Sequence, residues 1–308
     1  MADRTDETKQ QSRAGRLAKT ISEDSLRPEV KHPIVQRFME NKLAVAGMII
    51  VVIFYAVAIV APVIQRYPPS QIQAGARDLH PSAQHWLGTD RNGRDAYSRL
   101  LNGGRVSLAV GFVAVAIIMT IGTTLGAISG YFGGWVDGVI MRLTDILLSI
   151  PQILLLISAA ALFNAGIVTT IIVIGVTSWP GAARLIRGQI LSLKDQEFVT
   201  AARTVGASPW KIIWRHLFPN SLAVIIVEAT LWLSYAIILE ATLSYLGLGV
   251  QIPTPSWGNM LQDGQHELLL GAWWLTLFPG LAIFLVVMAF NLMGDGLRDA
   301  FDPRLRRR

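Results

Sequence analysis

The chain has 308 residues, 52% of them hydrophobic, with a mean hydropathy of +0.45 and a formal net charge of +6. A water-soluble domain of this size is not so apolar, and the composition predicts an all-α polytopic membrane protein. The absence of cysteine excludes disulfides, thiolate metal sites and cysteine nucleophiles, and most of the basic excess falls on one membrane face, as set out below, so topology explains it better than nucleic acid does.

Residues 1–30 are polar and charged without apolar periodicity, which predicts a disordered cytoplasmic tail. In 31–42, Ile34, Val35, Phe38 and Met39 fall on one side of a short segment and Arg37, Glu40 and Lys42 largely on the other, as in an interfacial elbow helix or a plain linker. Residues 43–64 supply the roughly 20 apolar residues that cross a bilayer core, so 31–65 holds the elbow and the first span. The charged stretch before this run is too long, and the run itself too apolar for too long, for a cleaved signal peptide.

Residues 66–105 are polar, punctuated by YPPS and LGTDRNGRD, and are expected to lie outside the cell. The segment HWLGTDRNGRDAYSRLLNGGR resembles the stretch after the first span in the C-type permease of dipeptide, oligopeptide and nickel ABC importers. The match falls on residues 87–90, 93–95, 98–101 and Arg105. Its aspartates and arginines are read as a salt-bridged loop scaffold in preference to a catalytic group.

The permease core expected at 106–296 opens with a second span at 106–128. Gly122, Gly126, Gly130 and Gly134 recur every four residues, a helix-packing face for as long as the helix lasts. The third span, 139–163, contains Pro151 and is expected to kink. Arg142 and Asp145 near its inner end are expected to pair with each other or to snorkel. A short fourth span runs from 167 to about 183.

The next segment, 197–220 (EFVTAARTVGASPWKIIWRHLFPN), reads as helix, break, helix. Phe198, Ala201, Ala202 and Val205 recur at three-to-four-residue spacing and predict the docking face of the first helix. Gly206 stops it, Ser208 and Pro209 start the next, and the second helix is expected to run from 210 to 218, before Pro219. Pattern alone is equally consistent with an amphipathic hairpin on the membrane surface. The segment nevertheless resembles the cytoplasmic EAA loop of ABC importer permeases, with Ala201, Ala202, Gly206 and Pro219 on the motif. Thr200 stands where that family has its glutamate and His216 where an isoleucine is usual; Glu197 lies one turn earlier. The resemblance implies a coupling helix seated in a cleft of an ATPase, with Glu197, Thr200, Ala201, Ala202, Gly206 and Pro219 as the coupling residues.

The fifth and sixth spans are expected at 222–243 and 273–293, with a bend at Pro279-Gly280. The Gly/Pro-rich SYLGLGVQIPTPSWGNMLQDG between them and the terminal NLMGDGLRDAFDPRLRRR resemble the same family, so the likeness runs from about 32 to 304. It implies six transmembrane helices in the type I ABC importer permease fold. It also implies a homologous B-type permease partner, two ABC ATPase subunits or one fused pair holding ATP and Mg, and an extracytoplasmic substrate-binding protein. No cofactor or metal is expected in this chain.

With the N-terminus inside, nine Lys/Arg before the first span, Arg142, six between 184 and 215 and five from Arg298 onward, in the basic tail 297–308, fall on the cytoplasmic side. Six, between 66 and 105, fall outside. The positive-inside rule therefore favours six spans with both ends inside, and the resemblance implies the cytoplasmic membrane of a prokaryote. Glu228 and Glu240 sit in the fifth span, where a charge costs about 2.5–3.5 kcal/mol near the helix centre, so both are expected to face protein or water. Glu228 is a candidate for the translocation path, the plainer alternatives being an inter-subunit hydrogen bond or a protonated packing residue. No GxxxxGK[ST] loop or GxSxG occurs, and Leu270 breaks the HExxH pattern begun by His266-Glu267, so no enzyme is expected. The other reading is a proton-coupled secondary transporter or channel using Glu228; the internal repeat common in such proteins is not visible.

Overall fold

The computed structural model of the chain describes residues 34–301; the expected N-terminal tail and most of the basic C-terminal tail lie outside that range. A short helix α1 (Ile34–Glu40) precedes α2 (Lys42–Ile64), whose first turn is capped by the side chain of Asn41 accepting from the N–H of Ala44 at 3.2 Å. Then follow α3 (Ala96–Phe132), α4 (Gly134–Ser149), α5 (Gln152–Ala161), α6 (Ile167–Leu193), α7 (Glu197–Thr204) and α8 (Pro209–Ile212). A π-helical turn, Ile213–Leu217, leads into α9 (Phe218–Tyr245), and α10 (Trp257–Leu268) and α11 (Trp274–Phe301) complete the described chain. Among the described residues, five helical segments are long and apolar enough to cross a membrane: α2, α3, α6, α11 and the continuous run Pro209–Tyr245.

The third span is broken, where a kinked helix was expected. The helices α4 and α5 meet at 89° across a short break. Ile150, the residue before Pro151, is extended (φ −92°, ψ 129°), because the proline ring crowds the helical conformation of its predecessor. The α4 end therefore terminates and α5 starts afresh at Gln152.

Helices α3 and α6 pack most extensively, and glycine is the reason. A Cβ added to Gly122 would lie 2.7 Å from Cβ of Ala182, one on Gly126 2.5 Å from the carbonyl oxygen of Ala183, and one on Gly130 2.9 Å from that of Arg187. The backbones touch along two turns of helix, a separation no larger residue permits. Gly134 does not continue this face: Gly133 and Gly134 have positive φ and separate α3 from α4. Around this seam a core of Ala114, Ile118, Leu156, Ile174 and Leu243 joins α3, α5, α6 and α9, while Val286, Ala289 and Phe290 seat α11 against α2 and α9.

The ends of the bundle differ. Helix α3 begins at Ala96, ten residues before the expected start of the second span, with Asp95 as its cap. At that end, Asp90 accepts from Nε of Arg94 at 2.7 Å and from Arg99, and Asp263 of α10 accepts from both arginines at 2.9 Å. All four side chains are buried. Asp90, Arg94 and Arg99 of the 66–105 segment thus form a salt-bridged scaffold of the expected kind, which ties that segment to α10. The opposite end carries 197–220 and is termed the loop face below.

Candidate functional site

On the loop face α7 ends in a Schellman motif. The N–H of Gly206 donates to the carbonyl of Arg203 at 2.9 Å, and that of Ala207 to Ala202 at 3.0 Å. Gly206 carries the φ of +81° that this closure requires. The side chain of Ser208 then accepts from the N–H of Lys211 at 3.4 Å, and Pro209 opens α8. Thus one glycine and a Ser-Pro pair reverse the chain within a few residues.

The expected apolar face of α7 is divided between the bundle and the outside. Val199 is fully buried and Ala202 partly so, packed with Ala127, Ile186, Ile190, Ile212, Ile213 and Leu217 of the helices behind. Phe198, Ala201 and Val205 of that face point outward; Phe198 is 37% and Val205 87% exposed. The apolar residues of α7 form one arc of about 160°, whose Val199 and Ala202 edge packs inward while the Phe198, Ala201 and Val205 edge is left open. Thr200 and Glu197 lie on the exposed surface beside that stripe, and the guanidinium of Arg203 stacks over Tyr131 of α3 at 5.5 Å.

Pro219 does not end the second helix. The π-turn shifts the hydrogen-bond register, so that the N–H of Phe218 donates to the carbonyl of Ile213, and Pro219 falls in the first turn of α9, where its missing donor costs little. The result is one helix from Pro209 to Tyr245, about 55 Å long.

Behind the loop, Asp137 of α4 accepts from Arg187 of α6 through both carboxyl oxygens, the Nη2 contact being 2.6 Å, and from Ser129 of α3. Asp145 bonds Arg184 at 2.7 Å across 39 residues, not the expected Arg142. Each carboxylate of α4 thus ties that helix to α6.

Glu228, midway along the Pro209–Tyr245 helix, is half-buried and accepts from the indole N–H of Trp232 at 3.0 Å through Oε1. It lines a groove of about 400 Å³ with Leu185, Val227, Leu231 and Arg298. Trp232 packs edge-on to Tyr235, whose hydroxyl lies 3.2 Å from Oε1 of Gln152, and Nε2 of Gln152 donates to Ser178 at 2.8 Å. Sequence reasoning missed this connected row; the spacing of 228, 232 and 235 on one helical face was the available signal. Glu240 is wholly buried, with Ser244 donating to its Oε1 at 2.7 Å and the hydroxyls of Ser107 and Ser256 beside it. It holds α9 to α3 and α10, away from any open surface. Among the described residues no cluster of His, Cys, Asp or Glu has metal-binding geometry.

A bundle of long apolar helices, one of them broken, with a glycine-closed helical hairpin on one face, defines a multi-pass permease component. The chain belongs to the family of binding-protein-dependent transport system inner membrane components, whose match covers residues 122–307, and the N-terminal TM domain of oligopeptide transport permease C matches residues 33–81. It is 44% identical over 271 residues to the dipeptide transport system permease protein DppC of Alkalihalophilus pseudofirmus, covering 88% of this chain and 89% of the relative. It is 43% identical to the oligopeptide transport system permease protein OppC of Bacillus subtilis, over 88% of each chain. With the glutathione transport system permease protein GsiD of Pectobacterium atrosepticum it shares 43% identity, over 88% of this chain and 90% of the relative.

Proposed function

We propose that the chain is the C-type permease subunit of an ATP-driven importer that carries dipeptides or oligopeptides across the cytoplasmic membrane. The observation that carries this reading is the exposed apolar stripe of Phe198, Ala201 and Val205 on a helix anchored from behind by Val199. An apolar stripe held rigidly outward on the loop face is suited to a cleft in a partner. The partners are a homologous B-type permease, two ABC ATPase subunits or one fused pair that hold ATP and Mg, and an extracytoplasmic binding protein. Peptide cargo rests on the relatives named for dipeptide, oligopeptide and glutathione transport.

In this mechanism the ATPases close on ATP and carry α7 and α8 with them. Because α8 continues through the π-turn into α9, a displacement of the loop is delivered along one rigid helix to Glu228 and Trp232. Val199 and Arg203 pass the same motion to α6 and α3. Coupling requires the loop to contact the ATPase differently in the two states, since only a difference in binding shifts the equilibrium. Both termini and the loop face the cytoplasm, following the basic residues of the sequence. A proton-coupled transporter or channel built on Glu228 is not favoured, because the family and the outward stripe both point to a driven assembly.

The test is purification of the tagged chain from its native membrane in a gentle detergent, with mass spectrometry of its companions. A second permease, an ATPase and a binding protein are expected together. Repeated recovery of the chain alone, with the ATPases present elsewhere in the extract, would reject the reading.

A further inference from the structure

The row Glu228, Trp232, Tyr235 and Gln152 is polar where the bilayer is not, and it stays partly open to the surroundings of the chain. Three of its members share one face of α9, within about 10 Å along the axis. The fourth is brought to that face by the break before α5: Gln152 is the first helical residue after Pro151, and its amide reaches both Tyr235 and Ser178. A straight third span would have no reason to present a side-chain amide at this point. Exposure is graded along the row, with Tyr235 exposed and Glu228, Trp232 and Gln152 partly buried. Placed against lipid, the groups left without a partner within the row would meet no donors or acceptors, which is unfavourable.

The hydrogen bonds within the row leave a definite remainder. Glu228 uses only Oε1, so Oε2 remains an acceptor, and the residue lines the groove it shares with Arg298. Tyr235 donates its proton to Gln152 and keeps its oxygen lone pairs; Gln152 gives one amide hydrogen to Ser178 and keeps the other. One carboxyl oxygen, one hydroxyl acceptor and one amide donor thus lie in a row with the indole of Trp232. Their span of about 10 Å matches two to three residues of extended chain.

We infer that this row is a peptide-contacting strip of the translocation path: Glu228 takes the peptide's ammonium group, Tyr235 and Gln152 take a backbone N–H and carbonyl, and Trp232 packs a side chain. The inference rests on the peptide-import reading above. It assigns substrate contact to Gln152, Trp232 and Tyr235, and it gives the break at Pro151 a purpose, that of bringing Gln152 to α9.

The chain's lack of cysteine makes the test direct. Tyr235→Cys and Gln152→Cys are made in the complete transporter, with Leu281→Cys, in an apolar groove between α2, α3, α10 and α11, as the comparison. Reconstituted complexes are treated with a water-soluble cationic methanethiosulfonate or a lipid-soluble maleimide, with and without di-, tri- and tetra-alanine, and labelling of this chain is read by mass spectrometry. Both strip thiols are expected to react with the water-soluble reagent and to lose that labelling when peptide is present during turnover, while Leu281→Cys reacts with the maleimide only. Strip thiols closed to the water-soluble reagent, as they would be beneath the partner permease, or labelling that peptide leaves unchanged, would overturn the inference. Uptake of the same peptides by the unsubstituted complex separates the two claims. Import with unprotected thiols rejects the strip alone, whereas no import rejects the peptide reading and the strip with it. Should the cysteine variants fail to assemble, Tyr235→Phe removes only the hydroxyl and is expected to raise the KM for uptake severalfold; an unchanged KM would count against the strip.

Discussion

Arg99 and Asp263 stand 164 residues apart in the chain and meet at 2.9 Å, both buried. Arg94 makes the same contact at the same distance, so one carboxylate of α10 neutralises two guanidiniums of the 66–105 segment together with Asp90. Removing one partner of a buried ion pair strands the others. Asp263→Ala is expected to cost roughly 3–5 kcal/mol, seen as a large fall in the midpoint of thermal unfolding in detergent. Asp145→Ala, which breaks the exposed pair with Arg184, is expected to cost less than about 1 kcal/mol. Equal losses from the two variants would refute the distinction.

Gly126 is the tightest point of the glycine seam. Gly126→Val forces α3 away from the backbone of α6, and the variant is expected to accumulate poorly and to unfold earlier on heating. Gly138 has no atom within 4 Å of an added Cβ, and Gly138→Ala is expected to be neutral or to add about 0.5–1 kcal/mol. Comparable membrane yields for the two variants would contradict the packing described for α3 and α6.

Gly206 presents the opposite case, because its added Cβ also meets nothing within 4 Å while its φ is +81°. The effect of substitution is therefore conformational. An ordinary L-residue pays roughly 1–2 kcal/mol in the left-handed region, less for Asn and more for a β-branched side chain. Peptide uptake is expected to fall in the order Asn, Ala, Val at this position, with the protein still inserted at normal levels. Full uptake by Gly206→Val would remove the loop geometry from the mechanism.

Glu228 can be tested for charge. Glu228→Gln keeps the acceptor for Trp232 but removes the carboxylate, so uptake of peptides with a free amino terminus is expected to fall while assembly is retained. Unchanged uptake across peptides of several lengths would exclude Glu228 from the path.

Much of the fold is local information and was legible. Apolar runs mark the spans, and Gly206, Ser208 and Pro209 spell out the chain reversal because closure and capping depend on residues a few positions apart. The face of α7 was not legible: Phe198, Val199, Ala201, Ala202 and Val205 share one broad arc of about 160°, and only the positions of α3 and α6 decide that its Val199 edge turns inward. Pro151 and Pro219 look alike in sequence. The first breaks the chain because Ile150 must be extended, and the second is absorbed because a π-turn precedes it. The pairing of Asp145 with Arg184, and of Gln152 with Tyr235 across 83 residues, is long-range and leaves no local periodicity to read.

The outward stripe of α7 is the feature on which coupling to an ATPase depends, and Val205→Asp tests it at its most exposed point. A carboxylate there disturbs nothing inside the chain, since Val205 is 87% exposed, but it places an unpaired charge in the proposed apolar contact. The measurement is affinity purification of the tagged variant with quantitative mass spectrometry of its companions. Loss of the ATPase is expected, with the partner permease and the thermal unfolding midpoint retained. Recovery of the ATPase at the level of the unsubstituted chain would contradict the assignment of this helix as the coupling element.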